Sequence, residues 1–241
     1  MLPTAPMQRL LLPEDSYGTL KRVHFISDII TRYHINFITD IGCGTGRYLT
    51  YPLSILHPKS TFFGFDRDHL SIINSVAQPN ICYSSDLSSI PNQCDLLILS
   101  EVLEHIYEPT SFLLNILDRT KPKYVFISVP NGFGPFEFAS YLRRHFFGHI
   151  TLSTPSLNSS ACNPSTYDNS PHVNFFTHRT LYRMFSSCSL SPLGYSNRTF
   201  LCGIGFDYFV RKLNLQYLNS LAANYLPHYL VSDWMFLLKS I

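Results

Sequence analysis

A glycine-rich turn behind an acidic residue is the first feature of this sequence that indicates chemistry. In DIGCGTG, residues 40–46, Asp40 is followed by glycines at alternate positions, which are Gly42, Gly44 and Gly46. Glycines let the backbone turn tightly and approach a ligand, and a helix that begins near Arg47 would offer N–H groups to a carboxylate or phosphate. A dinucleotide site prefers its third glycine where Arg47 stands, so the spacing argues against a dinucleotide.

Two more carboxylates lie at the ends of the strands predicted next along the chain. Asp66 ends the run TFFGFD, and Asp86 follows the run NICYSS. Ligands of an open parallel sheet bind beyond the carboxyl ends of its strands, where Asp66 could accept hydrogen bonds from both hydroxyls of a ribose. Asp86 could equally cap a helical turn, because aspartate is a preferred N-cap residue. Asp66 therefore supports a nucleoside ligand without choosing its kind.

A third group of residues that could take part in catalysis or metal binding follows the fourth predicted strand. The stretch SEVLEH places Glu101, Glu104 and His105 at i, i+3 and i+4, which predicts one shared side of a helical turn at the mouth of the sheet. The trio could be structural, with a glutamate capping the turn and His105 bound to a backbone carbonyl. It could instead contact cofactor and substrate, with His105 as general base. Carboxylates with an imidazole would also suit Mg²⁺ or Mn²⁺, whereas structural zinc favours cysteine and histidine.

The elements that would position these residues alternate between strands and helices. Nearly continuous apolar runs predict parallel strands buried on both faces at 36–41, 61–66, 80–85, 94–100 and 123–129. Helices are predicted at 17–33, 47–57, 68–76 and 108–119. The alternation predicts an α/β fold, namely a Rossmann-like, doubly wound, mostly parallel sheet of about seven strands with helices on both faces.

The C-terminal part of the chain is expected to complete this sheet. A helix is predicted at 177–188 with Thr177 as its cap, and another near 206–224. The runs SNRTFLCG, 196–203, and VSDWMFLLK, 231–239, are expected to be two closing strands.

The predicted domain organisation is simple. Residues 1–16 form an N-terminal extension, and 17–241 form one domain with a lid-like insertion at about 132–176. Within the insertion, 151–171 is dominated by serine, threonine, asparagine and proline, with a single charge at Asp168, and cannot build a core. A loop of this length is either a lid over the substrate or a surface loop without a function, and the sequence does not decide between these two interpretations.

Composition and charge indicate which kind of partner and which cellular location to expect. The 18 basic and 16 acidic residues are scattered and sum to a net charge of +2, which disfavours nucleic acid and favours a small-molecule acceptor. Six dispersed cysteines without a Cys-x-x-Cys pair or a secretory leader predict reduced thiols in a cytoplasmic protein. No apolar run is long and uninterrupted enough to predict a transmembrane helix. The sequence gives no indication of the oligomeric state.

The spacing of the glycine turn resembles that of the class I S-adenosylmethionine-dependent methyltransferases. The stretches LSEVLEHIYEP, ISVPN, HVNFFTHRTL and LPHYLVSDWMFLLK are similar to the small-molecule subgroup that includes the ubiquinone O-methyltransferases. The resemblance implies that S-adenosylmethionine is the cofactor, with Asp86 taking the adenine amino group and the N–H of Leu87 meeting the ring. The implied cofactor-binding residues are Asp40, Gly42, Gly44, Gly46, Asp66, Asp86, Leu87 and Ser100.

The resemblance also implies a reaction. A methyl group would pass to a hydroxyl, or less favourably to a nitrogen or carbon, of a small molecule or sugar, with His105 and Glu101 as the catalytic candidates. The long uncharged loop at 151–171 departs from the family pattern, so the resemblance says least about the acceptor. Transfer from a sulfonium needs aligned reactants and excluded water, and a hydroxyl nucleophile also needs a base.

Two alternatives to this function stay open. The first is an RNA 3′-end 2′-O-methyltransferase, in which Glu101, Glu104, His105 and His172 would bind a divalent cation as they do in small-RNA 2′-O-methyltransferases. The near-neutral charge disfavours it, because a protein that grips phosphates should show clustered lysine and arginine. The second is a non-catalytic module that keeps the fold. The intact glycine turn and both nucleoside-binding carboxylates disfavour that alternative.

Overall fold

The computed structural model describes residues 16–134, 172–201 and 209–241 except residue 211. Among these residues, seven strands form one sheet: β1 Phe37–Ile41, β2 Thr61–Phe65, β3 Ile81–Ser84, β4 Leu96–Ser100, β5 Tyr124–Pro130, β6 Leu190–Asn197 and β7 Asp233–Ser240. Their order across the sheet is β3-β2-β1-β4-β5-β7-β6. Strands β1 to β5 pair in parallel, and β7 is antiparallel to both of its neighbours. The predicted fold class, a mostly parallel α/β sheet of about seven strands, is confirmed.

Helices cover both faces of the sheet. They are α1 Ser16–Tyr33, α2 Thr50–Leu56, α3 His69–Ile73, α4 Pro109–Thr120, α5 His178–Ser187 and α6 Gln216–Ala222. Strand β4 shows how the faces separate, because successive side chains of a strand point to opposite sides. Leu96 and Ile98 join the core under α1 and α2, whereas Leu97 and Leu99 join the core under α4 and α5. Burial on both faces explains the continuous apolar runs of these strands.

One closing strand does not lie where the sequence predicts it. Strand β6 covers Leu190–Asn197, so the predicted strand at 196–203 is wrong in its bounds. The true strand contains Pro192, which cannot donate to a sheet ladder, and its pairing with β7 is irregular between Pro192 and Gly194. An edge strand tolerates both features, and β6 is the edge of this sheet. The other closing strand, β7, overlaps the predicted run.

Helix boundaries follow local sequence signals. Thr177 caps α5 as predicted, with its side chain bound by the N–H of Thr180 at 3.1 Å. Asp68 caps α3 in the same way through the N–H of Leu70. The helix predicted at 206–224 is not continuous within the described residues, because a turn with Asn214 in the left-handed region (φ +53°) precedes α6.

Several predictions concern parts of the chain outside the described residues. They include most of the N-terminal extension at 1–16, most of the lid-like insertion at 132–176 and the whole 151–171 loop. Within the described ranges, no helix combines the length and the apolar composition that a membrane crossing requires. The cysteines in those ranges, Cys43, Cys82, Cys94 and Cys188, are free thiols.

Candidate active site

The glycine turn leaves β1 in a conformation that only glycine adopts readily. Gly42, Gly44 and Gly46 all have positive φ angles, of +78°, +56° and +70°. A Cβ atom at Gly46 would lie 1.9 Å from the hydroxyl of Tyr83, and one at Gly42 would lie 2.5 Å from a Val102 methyl. The turn is held to the end of β2, because the N–H of Gly42 donates to the carbonyl of Phe65 at 2.7 Å. Backbone angle therefore favours glycine at all three positions, and the space around Gly42 and Gly46 favours it as well.

Asp66 fixes the turn from the carboxyl end of β2. Its side chain is buried, and its two oxygens accept from the N–H of Gly44 and the N–H of Asp68, each at 2.8 Å. A carboxylate oxygen can accept more than one hydrogen bond, so these contacts are compatible with ribose hydroxyls. The structure thus adds a positioning role that the sequence did not indicate.

Asp40 lies beneath the turn with almost no exposure to solvent. The hydroxyl of Thr50 donates to its Oδ2 at 2.6 Å. The pKa of Asp40 is raised to about 7, mainly by burial; the Thr50 hydrogen bond lowers it, and the nearby Asp66 charge adds a smaller rise. The glycine turn thus begins two residues after a buried carboxyl whose pKa is raised towards neutrality.

The next predicted cofactor contacts lie on neighbouring strand ends. Asp86 caps the short turn Leu87–Ser89 by accepting from the N–H of Ser88 at 2.8 Å, and hydrogen bonds from Ser88 lower the pKa of this exposed carboxyl. Leu87 is exposed. Ser100 ends β4, with its Oγ 3.0 Å from the Oγ of Ser128. The structure therefore shows the capping role that the sequence allowed for Asp86, and its adenine contact stays a prediction.

The SEVLEH stretch does not form the helical turn that its spacing predicts. Glu101 adopts a left-handed conformation with φ +56°, and a three-residue 3-10 turn covers Leu103–His105. The expected arrangement, with all three candidates on one side of a helix, is therefore wrong. The left-handed backbone at Glu101 interrupts the helical spacing, so the three residues do not share one helical turn.

Glu104 and His105 meet His172 instead. Ligand atoms of these three residues all lie within 4.8 Å of one another, and Glu104 is buried. The rings of His105 and His172 have centroids 5.1 Å apart in an edge-to-face arrangement. The segment after His172 is anchored here, since the N–H groups of Val173 and Asn174 donate to the carbonyl of Glu104. Three of the four residues of the predicted metal alternative are thus brought together, without Glu101.

Glu101 lies in a cluster of charged residues that the sequence analysis missed. Ser128 donates to its Oε1 at 2.9 Å, and the same oxygen lies 3.9 Å from a terminal nitrogen of Arg22 and 3.6 Å from one of Arg198. Arg22 is on α1, and Arg198 directly follows β6. No local spacing links residues so far apart in the chain, so only the fold reveals the contact.

Comparison with known proteins gives one family match. The model of a family described as a methyltransferase domain matches residues 19–188. A search of curated protein sequences gives no significant match.

Solved structures share the fold at low sequence identity. The methyltransferase domain of bacterial CtHen1-C superposes with a TM-score of 0.55 at 12% identity, covering 92% of this chain and 98% of that chain. The plantazolicin methyltransferase BpumL, in complex with a triazolic desmethylPZN analog and SAH, gives 0.55 at 15% identity over 99% of this chain and 86% of that one. A SAM-dependent methyltransferase from Aquifex aeolicus gives 0.54 at 10% identity over 100% of both chains.

Proposed function

The chain belongs to the methyltransferase domain family, and we propose that it transfers a methyl group from S-adenosylmethionine to a hydroxyl of a small molecule or sugar. The observation that carries the proposal is the glycine turn clamped by Asp66 at the carboxyl edge of the sheet. That edge is where open α/β sheets bind their ligands. The earlier motif resemblance to ubiquinone O-methyltransferases supports a small hydroxyl acceptor. The dispersed free thiols support a cytoplasmic location.

The cofactor proposal assigns a role to each strand end. The turn at 42–46 would approach the methionine part of the cofactor closely, and Asp66 would accept hydrogen bonds from the ribose hydroxyls. Asp86 and the N–H of Leu87 would meet the adenine. Asp40, buried below, would lie near the cationic cofactor, whose charge would favour the ionised form of the carboxyl. Holding donor and acceptor in line can supply about 7 to 11 kcal/mol of the barrier, so this positioning is the main catalytic task.

The acceptor hydroxyl must lose a proton, and His105 is the candidate base. It lies beside the buried Glu104 carboxylate, which can orient an imidazole and stabilise its protonated form. A positioned base contributes about 10²- to 10⁴-fold in rate. In this metal-free form of the proposal, His172 packs edge-on against His105 and limits the movement of its ring.

A second candidate function is favoured by the same three residues. One carboxylate and two imidazoles within 4.8 Å fit a divalent ion such as Mn²⁺, so Glu104, His105 and His172 would hold it. Such an ion lowers the pKa of a bound hydroxyl. This is the chemistry of the RNA 3′-end alternative, although a net charge of +2 gives little support to an RNA acceptor.

One experiment tests the proposed function and separates its two forms. The full chain is incubated with methyl-labelled S-adenosylmethionine and, in parallel, catechol, a hexose, a ribonucleoside, a primary amine and a short RNA with a free 3′ end. Labelled product from a small hydroxyl acceptor, unaffected by EDTA, is the expected result. Labelling of RNA that EDTA abolishes and Mn²⁺ restores would replace the first candidate with the second. No hydroxyl product under any condition would refute both.

A further inference from the structure

Glu101 has an unusual backbone for a residue with a side chain. Its φ of +56° lies in the left-handed region, which costs free energy for any residue other than glycine. The N–H of Glu101 still donates to the carbonyl of Ser128 at 3.0 Å, so β4 and β5 remain paired up to this residue. A glycine would adopt this conformation more easily. The contacts of the glutamate side chain must therefore offset the free-energy cost of the left-handed backbone.

A directed chain of hydrogen bonds leads to the Glu101 carboxylate. A terminal nitrogen of Arg22 donates to the hydroxyl of Ser100, which lies 3.0 Å from the hydroxyl of Ser128. Ser128 in turn donates to Glu101 Oε1 at 2.9 Å. Each donor in such a chain polarises the next, which strengthens the whole series. Because Arg22 also lies 3.9 Å from Oε1, the guanidinium acts on the carboxylate both directly and through the two serines.

Arg198 reaches the same oxygen from the segment that follows β6. Its position is fixed by Asp233, whose Oδ2 lies 3.2 Å from Arg198 Nε, and Asp233 accepts in addition from the hydroxyl of Thr199 at 2.6 Å. The side chains of Arg22 and Arg198 are only 13% and 8% exposed. Two guanidinium groups withdrawn from water are expensive to desolvate, so surface charge alone does not account for them.

Further charged groups pack against this cluster from each neighbouring element. Lys21, beside Arg22 on α1, donates to the carbonyls of Arg198 and Ser220 at 3.2 and 3.0 Å. Burial lowers the pKa of Lys21 to about 8, and the Arg198 charge adds to this effect. Glu104 and His105 lie on the turn that follows Glu101. The cluster therefore joins α1, β5, β7 and the segment after β6 around one carboxylate at the edge where the acceptor would bind.

We propose that Arg22 and Arg198 are positioning residues for methyl transfer, which hold the carboxylate of Glu101 in place on its left-handed backbone so that it orients the acceptor hydroxyl. The inference rests on the proposed function, because it needs an acceptor hydroxyl at this edge. Glu101 supplies a hydrogen-bond acceptor of fixed direction, and no covalent bond to it forms or breaks. Because the arginines act through Glu101, replacing either of them should lower kcat and leave the affinity for the cofactor unchanged.

A double-mutant cycle between Arg22 and Glu101 tests the inference. Turnover is measured with labelled S-adenosylmethionine and the hydroxyl acceptor identified by the screen above, for Arg22→Met, Glu101→Gln and the double variant. Each single change should lower kcat at least about tenfold with the acceptor KM within about threefold, because an orienting contact is lost. The double variant should lose no more than either single variant, since both remove one interaction. Arg22→Lys should recover part of the loss because it keeps the charge without the planar fork.

Matched controls separate positioning from general stability. Arg32→Met, at an exposed position of the same helix, should leave kcat unchanged. S-adenosylhomocysteine should bind all variants with a Kd within about twofold of the wild type, since the cycle isolates a transition-state contact. If Arg22→Met does not fold, Arg198→Met takes its place in the cycle with the same expectation.

Losses that multiply in the double variant, or a loss shared by Arg32→Met, would overturn the positioning role while leaving the proposed function intact. Failure of the wild-type protein to bind S-adenosylhomocysteine would instead refute the proposed function.

Discussion

Replacing Asp40 with asparagine tests whether this buried carboxyl, which precedes the glycine turn, titrates near neutrality in the folded protein. The asparagine side chain keeps an oxygen for the Thr50 hydroxyl but carries no charge. In the wild type, burial raises the pKa of this carboxyl from 3.8 to about 7. Between these two values, the folded protein holds a proton that the unfolded chain has released. Wild-type stability therefore falls as the pH rises through this window, and the full cost is present above the folded-state pKa.

The size of the effect follows from the two pKa values. Each unit of difference corresponds to about 1.4 kcal/mol, so ionising Asp40 in the folded protein costs about 4 kcal/mol in all. About 3 kcal/mol of this should appear between about pH 5 and about pH 8.5. Asparagine also buries an NH₂ group, but that cost is independent of pH. The informative quantity is thus the change with pH in the stability difference between variant and wild type.

Urea unfolding at both pH values measures that difference. Relative to the wild type, Asp40→Asn should gain about 3 kcal/mol between about pH 5 and about pH 8.5, because every other titrating group is common to both proteins. Asp28→Asn, at an exposed position on α1, is the matched control and should show no such gain. A stability difference between Asp40→Asn and wild type that is the same at both pH values would refute the reasoning.

Two further predictions concern the glycine turn and the N-terminal cap of α5. Gly46→Ala should cost roughly 1 to 3 kcal/mol in urea unfolding and weaken S-adenosylhomocysteine binding, because its Cβ would lie 1.9 Å from the Tyr83 hydroxyl at a φ of +70°. Adding Tyr83→Phe should return part of the loss, and an unchanged midpoint in Gly46→Ala would contradict the packing argument. Thr177→Ala should cost about 1 kcal/mol by removing the cap of α5, whereas Thr177→Ser should cost much less. Equal stability of those two variants would show that the cap contributes nothing.

The sequence predicts most of the sheet because its strands are buried on both faces. Continuous apolar runs are a strong signal, and the alternation with helices leaves few topologies. Strand β6 was misplaced for the opposite reason. It lies at the edge of the sheet, where Pro192 and Gly194 are tolerated and the pattern of burial is weak.

Some features of the candidate site were likewise predictable from the sequence, and others were not. The glycine turn and the capping threonine, Thr177, were predictable because local backbone geometry demands these residue types. The break in helical spacing between Glu101 and Glu104 was not, since helical spacing assumes a right-handed backbone and Glu101 has a positive φ. The contact with Arg22 depends on the packing of α1 against the sheet. Neither the sequence around Arg22 nor the sequence around Glu101 therefore indicates this contact.

Cofactor identity is tested most directly by isothermal titration of the wild-type protein with S-adenosylhomocysteine and with NAD. The account predicts micromolar binding of S-adenosylhomocysteine, no binding of NAD, and a large loss of affinity in Asp66→Ala. That loss should reach at least about tenfold, because charge-assisted hydrogen bonds to the ribose contribute roughly 1.5 to 3 kcal/mol each. Binding of NAD without binding of S-adenosylhomocysteine would contradict the account.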